Sequence, residues 1–107
     1  MATLSTHVLD TSRGLPAVGV RVRLESESGA DLGAGVTDSD GRIASIGPEQ
    51  LNAGHYRLRF DSGAYFADSG VEGFYPEVVI VCTLAGDDHF HVPLLLNPYG
   101  YSTYRGS

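Results

Sequence analysis

The sequence predicts an all-β sandwich of the immunoglobulin type, and three observations predict it. Apolar residues recur at every second position in run after run, the period of a strand with one buried and one wet face. Turn-forming residues break these runs at short intervals, as expected of about seven or eight short strands in a chain of 107 residues. Only residues 62–70 lack strand character, and Ala64, Phe66, Ala67 and Asp68 there suit a short helix.

The elements follow in order. Residues 4–9 alternate weakly, with His7 in step with Ser5 and Leu9. Gly14-Leu15-Pro16 reads as a break. Val18, Val20, Val22 and Leu24 then alternate with Gly19, Arg21, Arg23 and Glu25, the clearest strand in the chain. Ser28-Gly29-Ala30-Asp31 precedes a short glycine-rich strand over residues 32–37. Asp38-Ser39-Asp40-Gly41 is a tight turn, with Gly41 supplying the positive φ. After the break at Asn52-Ala53-Gly54, Tyr56, Leu58 and Phe60 alternate with His55, Arg57, Arg59 and Asp61. Residues 78–81 are continuously β-branched, the pattern of a strand buried on both faces. Beyond Gly86-Asp87-Asp88, Phe90, Val92 and Leu94 alternate with His89, His91 and Pro93. Pro93 has no N–H to donate, which predicts an edge or a bulge there. Tyr99, Tyr101 and Thr103 complete the pattern.

Residues 1–107 fit one domain, with no repeat, linker or low-complexity segment. A chain of this size buries only about 60–70% of its unfolded surface, so self-association would help it. The net charge is −6, from 13 Asp plus Glu against 7 Lys plus Arg, and all of those cations are arginine. An acidic chain with no basic run is a poor partner for nucleic acid or an anionic membrane. No apolar run approaches the roughly 20 residues of a membrane helix, and the N-terminus lacks signal-peptide character, so the cytoplasm is the expected location. Cys82 is the only cysteine; it cannot form an internal disulfide, and its apolar setting reads as an inert core thiol.

The chain has four histidines. His89 and His91 lie two apart on a strand and therefore point to one face. His-x-His is a genuine zinc-ligand spacing, and His7 would complete a three-histidine site if the first strand lay alongside. The plainer reading is a solvated strand face. His55 shares its face with Arg57 and Arg59 and reads as solvated, and Arg42 after a turn has the same plain reading. Asp38-Ser39-Asp40-Gly41-Arg42 resembles part of a calcium loop but lacks the other ligands at the required spacing.

Read together, the pieces resemble one family. Leu4-Ser5-Thr6-His7-Val8-Leu9-Asp10, followed by Gly14-Leu15-Pro16-Ala17, is similar to the opening of the transthyretin-like 5-hydroxyisourate hydrolases. So are the turn Thr37-Asp38-Ser39-Asp40-Gly41-Arg42 and the segment Phe74-Tyr75-Pro76-Glu77. The most specific stretch is the end: His89-Phe90-His91-Val92-Pro93-Leu94-Leu95-Leu96, then Tyr101-Ser102-Thr103-Tyr104-Arg105-Gly106-Ser107. The final Tyr-Arg-Gly-Ser separates the hydrolases from the hormone-carrying transthyretins. Phe90 stands where tyrosine is usual and Asn97 where serine is usual; neither replaces a reacting group.

The resemblance implies a transthyretin-like sandwich of two four-stranded sheets with one short helix. It implies a homotetramer, a dimer of dimers, with sites in the cleft between dimers, and neither a cofactor nor a metal. The implied reaction is hydrolysis of 5-hydroxyisourate to 2-oxo-4-hydroxy-4-carboxy-5-ureidoimidazoline in urate catabolism. His7, Arg42, His91 and Ser107 carry over as catalytic residues, Tyr104, Arg105 and Gly106 as substrate-binding ones, and His89 as a supporting neighbour. Either His7 or His91 would activate water, Arg42 would stabilise the developing oxyanion, and Ser107, by hydroxyl or carboxylate, would orient a histidine or the substrate. A non-catalytic carrier of a small ligand, a zinc hydrolase and a site-free structural sandwich are the competing expectations.

Overall fold

The computed structural model describes residues 1–106; Ser107 lies outside the described residues. The chain folds in the order β1 (Thr3–Asp10), β2 (Leu15–Pro16), β3 (Arg21–Ser26), β4 (Asp31–Val36), β5 (Arg42–Ile43), β6 (Gly54–Phe60), α1 (Ser62–Asp68), β7 (Val78–Leu84), β8 (His89–Asn97) and β9 (Gly100–Thr103). One sheet runs β2-β1-β8-β9, with β5 also on β1; the other runs β4-β3-β6-β7. The strands β2 and β5 pair with different stretches of β1, Leu9 and Asp10 against Thr6 and His7, so two short pieces together fill one lane beside it. That is how a sheet four lanes wide carries five strands. The segment read as a break at Leu15-Pro16 is one of those pieces.

The alternation places the core as expected. On β1, Leu4 and Val8 point inward; on β8, Phe90, Val92, Leu94 and Leu96; on β3 and β6, Val22, Leu24, Leu58 and Phe60, all buried. Burying each such side chain contributes about 1.5–3 kcal/mol relative to leaving it in water. Val18 departs from the pattern. It is exposed, and the strand begins only at Arg21.

Two further expectations change. Residues 78–81 are not buried on both faces: β7 is an edge strand, with Val78 and Ile80 facing the core and Val81 64% exposed on the open face. Pro93 lies in β8, an interior strand between β1 and β9, and not on an outer edge. Its missing donor costs little because the β9 ladder stops beside it. The last paired residues are Leu94 and Thr103, and the Pro93 carbonyl accepts from the Thr103 hydroxyl at 2.7 Å. The composition also conceals a local concentration of charge. Arg21, Arg23, Arg57 and Arg59 all lie on the outer face of β3 and β6, where Glu25 and Glu77 each meet Arg59 at 2.9 Å.

The helix has only seven residues, too few to persist alone. Asp61 caps it by accepting from the Ala64 N–H, and Tyr65 and Phe66 bury against the sandwich. The Tyr65 hydroxyl donates to the buried Asp10 carboxylate at 2.7 Å, tying helix to β1.

Candidate active site

Four pieces of chain distant in sequence meet on the outer face of the first sheet. The parallel register of β1 and β8 sets Thr3 opposite His89, Ser5 opposite His91 and His7 opposite Pro93. Residues at these odd positions share one face because strand side chains alternate. The antiparallel pairing of β5 sets Arg42 opposite His7. At the far side, the C-terminal tail returns to β8, and the Gly106 N–H donates to the His91 carbonyl at 2.8 Å.

The turn before β5 delivers Arg42. Asp38 accepts from the N–H groups of Asp40 and Arg42, both at 2.9 Å. These two bonds, with that of Arg42 foremost, hold its carboxyl below the usual range. The Asp38 carboxylate is thus engaged by its own turn. Gly41 sits at φ +75°, and a Cβ there would meet the Val8 carbonyl oxygen at 2.4 Å, so only glycine lets the turn lie this close to β1. His7 is fixed by the same turn: its Nε2 lies 2.9 Å from the Asp40 carbonyl oxygen. A carbonyl only accepts, so Nε2 carries the proton, and Nδ1 is the basic atom of neutral His7.

His91 is held differently. Its Nδ1 lies 2.7 Å from Ser5 Oγ, and its Nε2 has no hydrogen-bond partner among the described residues. Burial pushes the His91 pKa below its ordinary value of 6.5, and the charges of Arg42, His7 and His89 push the same way. The ring is therefore neutral at neutral pH. The His7 and His91 ring centres are 6.4 Å apart. Ser5, Arg42, Ile43, Ala44, His89 and His91 line an open cleft of about 280 Å³.

The other expected residues divide. Gly106 packs on His91, and a Cβ there would lie 2.6 Å from the His91 ring, so glycine is what allows the contact. Tyr104 and Arg105 do not reach the Arg42 cleft. They line a second cavity of about 270 Å³ beside β7, with the Arg105 guanidinium 4.6 Å above the Phe90 ring. Ser107 lies outside the described residues. His55 is exposed and pairs with Glu27 at 3.4 Å, as its solvated reading expects. Cys82 is partly buried, and burial raises its pKa. Among the described residues, no group of three or more His, Cys, Asp and Glu side chains is arranged to hold a metal ion. The sequence reading did not single out Ser5, which bridges His89 and His91, or Thr3, which bonds His89. The shared parity of Ser5 and His7 was the available signal, but only the β1–β8 register gave it meaning.

Fold and site together define a transthyretin-type sandwich with a histidine- and arginine-lined cleft on the outer face of one sheet. Comparison with known proteins agrees. The chain belongs to the HIUase/Transthyretin family, whose family model matches residues 4–106. It is 46% identical over 109 residues to the 5-hydroxyisourate hydrolase of Salmonella dublin, covering 97% of this chain and 80% of that one. The solved structure of Klebsiella pneumoniae 5-hydroxyisourate hydrolase superposes with a TM-score of 0.93 at 48% identity, covering 100% of this chain and 94% of the other. Sea bream transthyretin in complex with thyroxine superposes at 0.87 with 31% identity, covering 96% and 93%. One fold therefore carries both a 5-hydroxyisourate hydrolase and a transthyretin in complex with thyroxine.

Proposed function

We propose that this protein hydrolyses 5-hydroxyisourate to 2-oxo-4-hydroxy-4-carboxy-5-ureidoimidazoline in urate catabolism. One observation carries the reading beyond likeness to named hydrolases: His91, with its Nε2 unengaged by any described residue and its burial favouring the neutral ring, opens on the same cleft as Arg42. Ring-amide hydrolysis needs a base for water, a cation for the carbonyl oxygen as it turns negative, and a proton for the leaving nitrogen. His91 Nε2 takes the proton from water and later returns it to the ring nitrogen as the C–N bond breaks. General-base help of this kind is worth roughly 10²–10⁴ in rate. Arg42 stabilises the oxyanion with donors that stay charged at every relevant pH.

His7 is the weaker candidate for the base, because its Nε2 is tied to the Asp40 carbonyl. It lies opposite Arg42 and helps orient that side of the cleft. In this scheme no metal or other cofactor takes part. Ser107 orients substrate or a histidine by hydroxyl or carboxylate, and Gly106 seats the tail. Tyr104 and Arg105 bind substrate in the assembled protein.

The assembly is a homotetramer, a dimer of dimers, with sites formed between dimers. Exposed Phe74, Val81, Tyr99 and Tyr101 near the open edges β7 and β9 support it, since such apolar groups at strand edges favour a covering partner. No helix among the described residues is long and apolar enough to cross a membrane, and the cytoplasm is the proposed location.

The test is the absorbance decay of 5-hydroxyisourate generated in place from urate, followed without chelator and then with it. Accelerated decay is expected, falling by about 10²-fold or more in His91→Ala and in Arg42→Ala at unchanged fold. Decay at the spontaneous rate with a folded wild-type assembly would overturn the enzyme reading and favour a carrier. Loss of the wild-type rate on adding chelator would favour the zinc hydrolase.

A further inference from the structure

The histidine that the proposed chemistry uses is one end of a hydrogen-bonded chain that the chemistry so far leaves idle. Thr3 Oγ1 lies 2.6 Å from His89 Nδ1, His89 Nε2 lies 2.8 Å from Ser5 Oγ, and Ser5 Oγ lies 2.7 Å from His91 Nδ1. Ser5 is buried, while His89 is exposed at the outer end. One hydroxyl thus bridges two imidazoles that both line the Arg42 cleft, His91 partly buried and His89 exposed.

We propose that Ser5 is a positioning residue that selects the reactive tautomer of His91 and relays the proton taken from water to His89. The inference rests on His91 being the base of the hydrolysis proposed above.

A chain of donors can be oriented in two senses. In one, Ser5 donates to His91 Nδ1, and His91 then carries its hydrogen on Nε2, with no lone pair left for water. In the other, His91 Nδ1–H donates to Ser5 Oγ, Ser5 O–H donates to His89 Nε2, and His89 Nδ1–H donates to Thr3 Oγ1. Arg42 selects the second. A guanidinium lining the same cleft is attracted by an imidazole lone pair and repelled by an N–H.

The proton count then closes. His91 Nε2 removes a proton from water as the hydroxide oxygen bonds to the carbonyl carbon. The Nδ1 proton of His91 passes to Ser5 Oγ, and the Ser5 hydroxyl proton passes to His89 Nε2. His91 ends neutral, Ser5 ends a neutral hydroxyl, and His89 ends an imidazolium donating to Ser5 and Thr3. Reversing the transfer returns a proton from His91 Nε2 to the leaving nitrogen. The relay moves positive charge from a partly buried ring to an exposed one on the same cleft. The charged or titratable groups near the chain are His7 on β1 and Arg42 on β5, with Asp87 and the Met1 ammonium paired to each other near the start of β1 and β8.

The experiment has two readings on the whole assembled protein. Imidazole ¹⁵N shifts of wild type should give His91 as the Nδ1–H tautomer. In kinetics, Ser5→Ala should lower kcat roughly 10- to 100-fold, with a smaller change in KM, and Ser5→Thr should restore most of it. The wild-type proton inventory in mixed H₂O and D₂O should be curved, because several protons move together; that of Ser5→Ala should be linear. A purely structural serine would leave the inventory unchanged. An Nε2–H tautomer of His91 in wild type, or wild-type kcat and inventory in folded Ser5→Ala, would overturn the relay while leaving the hydrolase standing. A wild type that turns over no 5-hydroxyisourate would instead overturn the hydrolase reading and the relay with it, whatever tautomer the shifts report.

Discussion

At the scale of single residues, the site is made by environment more than by residue type. His7 and His91 are the same side chain, yet one is tied through Nε2 to a turn carbonyl and the other through Nδ1 to a serine. Burial, then the charge of Arg42, lowers the pKa of His91 below 6.5. A base with a lowered pKa stays neutral, and so stays a base, as pH falls below that value, and it is lost as pH falls through the folded pKa. NMR titration of the wild type should therefore place His91 below 6.5. Arg42→Gln removes one of the repelling cations and should move the titration upward; an unchanged midpoint would mean that Arg42 does not act on this ring. A different pair decides stability. Burial works to raise the pKa of Asp10, but hydrogen bonds from Ser12, Tyr65 and Arg13 outweigh it and hold the carboxyl below its ordinary value. The depressed carboxyl contributes stability above its unfolded pKa, and that contribution is lost as pH falls through the folded value. Tyr65→Phe removes one donor to a charged acceptor and should cost about 1.5–3 kcal/mol near neutral pH, measured by chemical denaturation. The deficit should shrink in acid, where Asp10 is protonated.

At the scale of elements, strand ends carry the proposed site. Pro93 has no N–H for a neighbouring strand, and the β9 ladder ends beside it. The chain then leaves the sheet through Tyr104 and Arg105, and returns where Gly106 bonds the His91 carbonyl. Gly106 belongs there because a Cβ would stand 2.6 Å from the His91 ring. Gly106→Ala must displace the tail or the ring. A displacement of about 1 Å at the proposed base should cost on the order of 10²-fold in activity. The core lies on the opposite face of β8, so the melting temperature should stay near wild type. Equal loss of stability and activity would show instead that the tail is a structural closure. The strand β5 plays the matching part on the other side of β1, since two residues after a glycine turn suffice to set Arg42 opposite His7.

At the scale of the whole molecule, the sandwich leaves strand edges, β7 and β9 among them, and the face of the proposed site uncovered. Val81 on β7 is 64% exposed and has no role in the core of a single chain. Val81→Asp should therefore leave the chain folded by circular dichroism but shift sedimentation from the assembly toward smaller species. Activity should fall with it, if sites form between dimers. A fully active monomer would remove the need for shared sites. Arg105 lines the cavity beside β7 and Arg42 the cleft beside β1, with His91 lining both, so a partner covering this face would close the two over one site.

Alternation by itself determined which faces of β3, β6 and β8 are buried, because side-chain period is a local property of an extended chain. It likewise set His89 and His91 on one face, and residues 62–70 apart as the helix. Turn chemistry fixed the glycine at position 41. The motifs at the chain's opening, at the turn before Arg42 and at its end, read as a resemblance, pointed to His7, Arg42 and His91. Alternation could not tell an edge strand from a central one. It made β7 look buried on both sides, and Pro93 look like an outer edge, because burial depends on which strand lies next in the sheet and not on the strand's own residues. Only the tertiary structure decided that β1 runs parallel to β8 in the register that sets Ser5 beside His91. That pairing joins residues 86 positions apart, and no local pattern encodes a contact whose geometry is set by the packing of the whole sandwich.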